Sequence, residues 1–290
     1  MKVHIIANPA AGGGKGATLA ERLFRNLESR SIPARLTFTK HAGDGTPLAQ
    51  ESDADCFVSI GGDGTANEIL NGMDLSRACL TILRAGTANV VSRELKLRAD
   101  PAFLAELIAA RTSRRIDVGV VNGRRFLLGI GAGLDAAVVR RVAEQKSGLR
   151  GLRRWIAPSI SGVLNFNHAP IRATVDGEIV TEDSTYAIIG NCRYSAGVFP
   201  TTPHANITDG KLDLCAMHRL SILKLAAIAV AVWGRGFTKR PDIAYRQGVE
   251  IVLESAGNLP VAFQVDGDAA GFLPARCTVL RQALEVIAPA

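Results

Sequence analysis

The sequence lacks the features of a disulfide-stabilised or zinc-binding protein. Its five cysteines are scattered along 290 residues and form no Cys-x-x-Cys pair. They lie in apolar contexts, which is typical of reduced, buried cysteines in a cytosolic protein. The five histidines are equally dispersed, so we expect core or surface histidines rather than a zinc site.

The sequence also contains no apolar run long enough to cross a membrane. The segment Ser221 to Trp233 is too short for a bilayer and contains Lys224, which favours a buried or interfacial helix. The N-terminus has too short an apolar core for a signal peptide and reaches Asn8-Pro9 at once. We therefore expect a cytoplasmic protein.

The charge balance is basic, with a formal net charge of +7. This charge favours acidic partners such as nucleotides, nucleic acid or an anionic membrane surface, without choosing among them. One basic amphipathic segment, Lys146 to Phe166, contains Trp155. It fits peripheral contact with an anionic membrane surface, or a solvated helix face that packs by its apolar side.

A glycine turn holding one carboxylate follows an early strand-like run. Cys56 to Ile60 is apolar and ends at two glycines, and Asp63 follows them. Thr65 and Glu68 have the spacing of a capping box, which predicts a helix that begins at Thr65. A helix N-terminus attracts anions, and an acid beside it can hold Mg²⁺ or accept a proton. The pattern indicates phosphoryl transfer, with a plain turn and an exposed Asp as the alternative. The surrounding candidate phosphate contacts are Gly61, Gly62, Gly64, Thr65 and Glu68.

A similar strand, glycine loop and helix open the chain. Val3 to Ala7 predicts a strand, followed by Asn8-Pro9 and a glycine-rich stretch that includes Gly12. The loop is not a Walker A motif, because Lys15 is followed by glycine rather than Ser or Thr. Its backbone N–H groups could still cradle phosphate, with Lys15 adding a point charge. The alternative is a flexible turn with a solvated lysine.

A third turn repeats the Gly-Thr-Ala-Asn sequence that residues 64–67 have in the turn around Asp63. Leu80 to Leu83 predicts a strand, and Gly86, Thr87 and Asn89 belong to the repeat after it. Loops at the carboxyl ends of parallel strands line the ligand crevice, so the two turns are expected to face each other across a nucleotide. Taken singly, each Thr or Asn is also an ordinary helix-capping residue.

The second half of the chain changes to short strand-like segments. A hairpin is predicted at Asn122-Gly123, with Phe126 to Ile130 as its second strand. Asp135 follows a glycine run and fits a second active-site carboxylate, or a helix N-cap. Asp209 and Asp213 could hold a hard cation, or mark only a turn. This half is expected to be β-rich.

Taken in order, these motifs resemble the diacylglycerol kinase catalytic-domain family, and the bacterial soluble lipid kinases match best. The resemblance implies an N-terminal α/β domain with a mostly parallel sheet, like that of NAD kinases and 6-phosphofructokinases, followed by a β-sandwich. The expected domains are 1–118, completed by about 276–290, and 119–275. By the same resemblance, ATP lies in the cleft between the domains.

The family roles carry over onto matching positions. Asp63 is similar to the central acid of the kinase motif, and Asp135 to the acid associated with the acceptor hydroxyl. Asp209 and Asp213 resemble a structural Mg²⁺ segment of some bacterial members. Many relatives carry Asp-Gly-Glu where this chain has Asp266-Gly267-Asp268. The resemblance places Asp268 at the position of a catalytic base or metal ligand, with its carboxylate set back by one methylene. The implied nucleotide contacts are Asn8, Pro9, Gly12, Lys15, Gly86, Thr87 and Asn89.

The resulting hypothesis is transfer of the γ-phosphoryl group of ATP to a lipid hydroxyl, with Mg²⁺ as cofactor. Diacylglycerol or a related lipid is the expected acceptor, no nucleic acid partner is expected, and homodimer formation stays open. One alternative is an NAD kinase, which shares the Gly-Gly-Asp-Gly-Thr loop. Another is a non-catalytic protein that binds nucleotide or lipid as a sensor.

Overall fold

The computed structural model describes residues 1–86, 89–134, 136–137, 139, 169–194, 199–218 and 237–289. The chain divides into two compact units. The first consists of Met1–Val118 with Leu280–Ala290, and the second of Gly119–Val279. The first unit is an α/β domain with a mostly parallel sheet and the second is a β-sandwich-like domain, as the sequence predicted.

The first unit alternates strands and helices. Its sheet has the order β2-β1-β3-β4-β15, and the pairings are parallel. Strands β1 and β3 are buried along their whole length, as expected where helices cover both faces of a parallel sheet. The elements are β1 (Val3–Ala7), α1 (Ala11–Glu28), β2 (Ala34–Phe38), α2 (Gly45–Gln50), β3 (Cys56–Gly61), α3 (Asp63–Gly72), β4 (Cys79–Arg84), α4 (Val90–Glu94), α5 (Pro101–Ala110) and the closing strand β15 (Ala275–Ile287).

The second unit is built from antiparallel pairs. Its strand path is β14-β13-β7-β9-β8-β12-β15, and β10 pairs with both β9 and β11. Phe126, Leu214, Ile251 and Phe263 lie in its core. Strand β5 (Ser113–Val121) begins in the first unit and ends in the second. The remaining elements are β6 (Arg124–Phe126), β7 (Gly129–Gly133), β8 (Ile171–Val175), β9 (Glu178–Gly190), β10 (Leu212–His218), a 3₁₀ turn (Phe237–Lys239), β11 (Ile243–Gly248), β12 (Glu250–Ser255), β13 (Ala262–Val265) and β14 (Asp268–Phe272).

The hairpin predicted at Asn122-Gly123 is present, but the prediction of its second strand is wrong. The stretch predicted as one strand from Phe126 to Ile130 is divided between β6, which pairs with β5, and β7, which pairs with β9 and β13. The break occurs because the Asp266 carboxylate accepts the backbone N–H groups of Leu127, Leu128 and Gly129. Hydrogen bonds from the backbone to a distant carboxylate therefore end the first strand.

Among the described residues, no helix is long and apolar enough to span a membrane. The two segments singled out for interfacial contact, Lys146 to Phe166 and Ser221 to Trp233, lie outside the described residues.

Candidate active site

The turn after β3 passes directly into helix α3. The helix begins at Asp63, and Gly62 precedes it in an extended conformation. A Cβ on Gly61 would lie 2.4 Å from the Thr65 hydroxyl oxygen, so only glycine lets the first helical turn fold back over the end of the strand. Asp63 thus stands in the first turn of a ten-residue helix, where free backbone N–H groups favour negative charge.

The predicted capping box is wrong. The helix starts two residues before Thr65, which is buried inside the first turn. Glu68 does not reach back to the helix start. Its carboxylate accepts the backbone N–H group of Gly43 at 2.8 Å, in the loop before α2, and that of Gly45 at 2.9 Å, at the first residue of α2. Glu68 therefore ties α3 to α2.

The turns after β3 and β4 are in direct backbone contact. The N–H groups of Ala85 and Gly86 donate to the Gly61 carbonyl at 3.1 and 2.9 Å. A Cβ on Gly86 would lie 2.7 Å from the Gly62 Cα. Glycine at position 86 is the condition for this approach, and the two turns form one continuous backbone surface. Thr87 lies outside the described residues.

The Asp63 carboxylate links these two turns. Its oxygens accept the backbone N–H groups of Val90 at 3.1 Å and Val91 at 3.2 Å, which are the first two residues of α4. Burial raises the pKa of Asp63, although these hydrogen bonds to the carboxylate oppose the shift. Asp63 therefore positions the turn after β4 as well as carrying charge.

Asn89 completes the turn after β4 in a left-handed conformation, with φ at 48°. Its side-chain amide donates to the Gly86 carbonyl. Its side-chain oxygen is buried and has no hydrogen-bond partner among the described residues. A buried acceptor without a partner costs free energy, so this oxygen fits a donor supplied by a bound ligand.

The glycine loop at the start of α1 reaches the same place. Gly12, Gly13 and Gly14 all have positive φ, so the loop turns before the regular helix begins. A Cβ on Gly12 would lie 2.2 Å from the Ala85 carbonyl oxygen, next to the turn after β4. The three loops predicted to bind nucleotide, which follow β1, β3 and β4, thus converge within the first unit.

The loop residues differ in their surroundings. The Asn8 side-chain oxygen accepts the Ala10 N–H at 3.0 Å, which fixes the loop entrance beside Pro9. Lys15 is exposed. At Gly62 and Gly64 a Cβ would meet nothing within 4 Å. Since protein neighbours do not require glycine there, open backbone for a phosphate is a use that fits both positions.

The second unit holds a separate pair of carboxylates, Asp209 and Asp213. Asp213 is fully buried on β10 and accepts hydrogen bonds from the Tyr245 hydroxyl and, at 3.1 Å to each oxygen, from the Gln247 amide. Burial raises the pKa of Asp213, and the nearby charge of Asp209 adds to this shift. A bound cation would relieve that repulsion.

Within the described part of the chain, no cluster of three or more His, Cys, Asp or Glu side chains could hold a metal ion. Asp209 and Asp213 supply only two carboxylates.

The Asp266-Gly267-Asp268 hairpin brings two acids into different roles. Asp266 is the anchor for the backbone of residues 127–129, a role that the sequence signalled only as an Asp-Gly turn. Asp268 is exposed and pairs with Arg124 at 2.9 Å. Asp135 lies outside the described residues.

Two known domain families match the chain. Residues 2–121 match the family described as the diacylglycerol kinase catalytic domain, and residues 129–288 match the YegS C-terminal NAD kinase beta sandwich-like domain. Two proteins named diacylglycerol kinase, from Staphylococcus saprophyticus and Staphylococcus carnosus, are 26% and 24% identical to this chain. Each alignment covers 99% of this chain and 95% of the relative.

Solved structures also resemble this chain over nearly its full length. A candidate diacylglycerol kinase from Bacillus anthracis str. Sterne superposes with a TM-score of 0.80 at 26% sequence identity. The superposition covers 99% of this chain and 95% of that one. The similarity therefore extends through both units.

Proposed function

Because the chain belongs to the diacylglycerol kinase catalytic-domain family and is a kinase, we propose that it transfers the γ-phosphoryl group of ATP to a lipid hydroxyl. Diacylglycerol or a related lipid is the proposed acceptor. The observation that carries this proposal is the contact between the two glycine turns, with the Asp63 carboxylate joining them at the N-terminus of α3.

The first unit is the proposed nucleotide domain. Backbone N–H groups of the glycine loops and the end of α3 would bind the phosphates, and Lys15 would neutralise part of their charge. Asn89 would accept a hydrogen bond from the nucleotide through its unpartnered side-chain oxygen. Bound Mg²⁺ would neutralise charge that develops on the phosphates.

Asp63 has a proposed positioning role that the sequence did not reveal. Both of its oxygens accept backbone N–H groups of α4, so the carboxylate sets the place of the turn that carries Asn89. A role as base for the lipid hydroxyl or as a metal ligand stays a proposal. Either role would use the remaining acceptor capacity of the same oxygens.

The second unit is the proposed acceptor domain. Asp135 would orient the lipid hydroxyl, and Asp268 would stand where many relatives have Glu. We propose a cytoplasmic enzyme that meets its lipid at an anionic membrane surface through the basic segment Lys146 to Phe166.

Asp209 and Asp213 form the proposed structural Mg²⁺ site, which would hold strand β10 rather than take part in transfer. This assignment rests on the charge of Asp209 beside the buried Asp213 carboxylate.

Transfer of labelled phosphate from ATP tests the proposal. The purified protein is incubated with ATP, Mg²⁺ and separate acceptors: diacylglycerol, a sphingoid base, a glycerophospholipid and NAD. Asp63→Ala is the test variant. Asp53→Asn, which alters an exposed carboxylate of the same unit paired with Lys2, is the control. Label in a lipid that is lost only with Asp63→Ala supports the proposal.

Two results would oppose it. Label that appears only in NAD would favour an NAD kinase. ATP binding without transfer to any acceptor would favour a sensor.

A further inference from the structure

Two cysteines of the first unit lie opposite each other on neighbouring strands. Cys56 begins β3 and Cys79 begins β4, and the two are register partners in the parallel pair. Neighbouring strands are about 4.8 Å apart, which lies inside the Cα separation of about 4.4–6.8 Å that a disulfide requires. All five cysteines are free and buried.

Cys79 also lines a cavity of about 370 Å³ within the first unit. This cavity lies where β3 and β4 begin, at the other end of the strands from the glycine turns. Charged residues of both signs line it: Arg77 and Arg111, with Asp55 and Glu285. A cavity of this size and mixed charge fits a small zwitterionic molecule with carboxylate and ammonium groups.

The two thiols are chemically unequal. The hydrogen bond from Cys56 lowers the pKa of Cys79, against the opposing effects of burial and of the Glu285 charge. The pKa of Cys56 is raised well above its usual value, first by the same interaction and then by burial. Cys79 lines the cavity and is 7% exposed, whereas Cys56 is fully buried, so a reagent in the cavity reaches Cys79 first. The nucleophilic form of that thiol is the thiolate.

We propose that Cys79 and Cys56 form a dithiol site that reacts, through this cavity, with small disulfides bearing carboxylate and ammonium groups. The Cys79 thiolate attacks one sulfur of the small disulfide, whose S–S bond breaks and releases one thiolate. Cys56 then loses its proton and attacks the Cys79 sulfur of the mixed disulfide. A Cys56–Cys79 disulfide forms, and a second small thiol leaves. The protein pair loses two electrons, and the small disulfide is reduced to two thiols.

This site is independent of phosphoryl transfer. None of its residues belongs to the loops proposed to bind nucleotide. It gives the first unit a second chemistry, which is sensitive to the redox state of the surrounding thiol pool.

Oxidised glutathione is the probe. The folded wild-type protein is incubated with it, quenched with an alkylating agent and mapped by peptide mass spectrometry without reduction. We expect a Cys56–Cys79 cross-link, and modification of Cys79 about tenfold or more faster than that of Cys277. Cys277 is the matched buried thiol, because burial alone raises its pKa.

Variants separate the two steps. Cys56→Ser should accumulate glutathione on Cys79, Cys79→Ser should lose the reaction at Cys56, and Cys277→Ser should keep the cross-link. Arg111→Gln should slow the reaction with oxidised glutathione by about threefold or more, relative to an uncharged disulfide such as hydroxyethyl disulfide.

The proposal is overturned if Cys79 reacts no faster than Cys277, or if Cys56 reacts at an unchanged rate in Cys79→Ser. Peptide mapping of the wild-type protein decides the matter even if a cysteine variant fails to fold.

Discussion

At the residue scale, Asp63 is the side chain on which the candidate site depends. The sequence identified it as the acid of a glycine turn, and the motif order identified the family. The sequence did not reveal the hydrogen-bond partners of the Asp63 carboxylate, because Val90 and Val91 are 27 and 28 residues away along the chain. Pairing of this kind depends on which strands become neighbours.

Replacement of Asp63 should affect both folding and activity. Asp63→Ala leaves the N–H groups of Val90 and Val91 without their acceptor, which we expect to cost about 1–3 kcal/mol in the free energy of unfolding. Phosphoryl transfer should fall by about a hundredfold or more, because misplacement of about 1 Å has an effect of that size. Denaturant titration and a transfer assay measure the two effects. Unchanged transfer by a folded Asp63→Ala protein would contradict the assignment.

A buried histidine predicts a pH dependence of stability. His4 lies in β1, with its ring nitrogens 3.0 Å from the Ser52 hydroxyl and 2.9 Å from the Thr37 hydroxyl. Burial, with a smaller effect of the Arg35 charge, lowers the pKa of His4 to about 4. Because the unfolded chain binds the proton more tightly, His4 should reduce stability as the pH falls from about 6.5 towards 4.

The expected loss between pH 7 and pH 5 is about 2 kcal/mol from this residue. Urea titrations at the two pH values measure it, with the exposed His41→Gln as control. A His4→Gln variant should show a smaller difference between the two pH values. If its pH dependence matches that of the wild-type protein, His4 is not the group responsible.

At the element scale, local sequence predicted where strands and helices occur better than how they connect. The apolar runs Val3 to Ala7, Cys56 to Ile60 and Leu80 to Leu83 correctly predicted strands β1, β3 and β4. The capping box failed because Glu68 finds the backbone of Gly43 and Gly45, which the spacing of its own helix does not reveal. Strand β15 was not predicted, since its partners β12 and β4 are distant in the sequence.

Two glycines of the site should respond differently to alanine. Gly86→Ala places a Cβ 2.7 Å from the Gly62 Cα, so backbone must shift and both stability and nucleotide binding should fall. Gly64→Ala meets open space inside α3, where alanine is the better helix former by roughly 0.5–1 kcal/mol. We therefore expect Gly64→Ala to keep or raise stability but to weaken ATP binding.

Thermal unfolding and ATP titration of both variants make this comparison. Unchanged ATP affinity in Gly64→Ala would show that phosphate does not approach the backbone at this turn.

At the scale of the whole molecule, each unit matches a known domain family, and the chain aligns with its relatives over nearly its full length. The meeting of the three glycine loops could be predicted because each loop follows a strand of one parallel sheet; their binding of nucleotide stays a prediction. The residues of the lipid acceptor site could not be predicted from strand order in this way. Its expected acid, Asp135, lies outside the described residues. The other acids that the sequence singled out have protein partners: Asp266 binds backbone, Asp268 pairs with Arg124, and Asp213 accepts a hydrogen bond from Tyr245.

A cation at Asp209 and Asp213 should stabilise the folded protein. At Mg²⁺ concentrations about a hundredfold above its dissociation constant, binding to the folded state alone would add about 2.7 kcal/mol. Thermal unfolding with Mg²⁺ and with a chelator measures this effect, and Asp209→Asn should remove it. Equal unfolding temperatures under both conditions in the wild-type protein would argue against the site.

The central claim is that the paired glycine turns and Asp63 form the phosphoryl-transfer site of a lipid kinase. Its most direct test is the transfer of labelled γ-phosphate from ATP to diacylglycerol in mixed micelles, with NAD present as a competing acceptor. We predict label in the lipid for the wild-type protein and for Asp53→Asn, and about a hundredfold less or lower for Asp63→Ala. Label found in NAD and absent from the lipid would contradict the account.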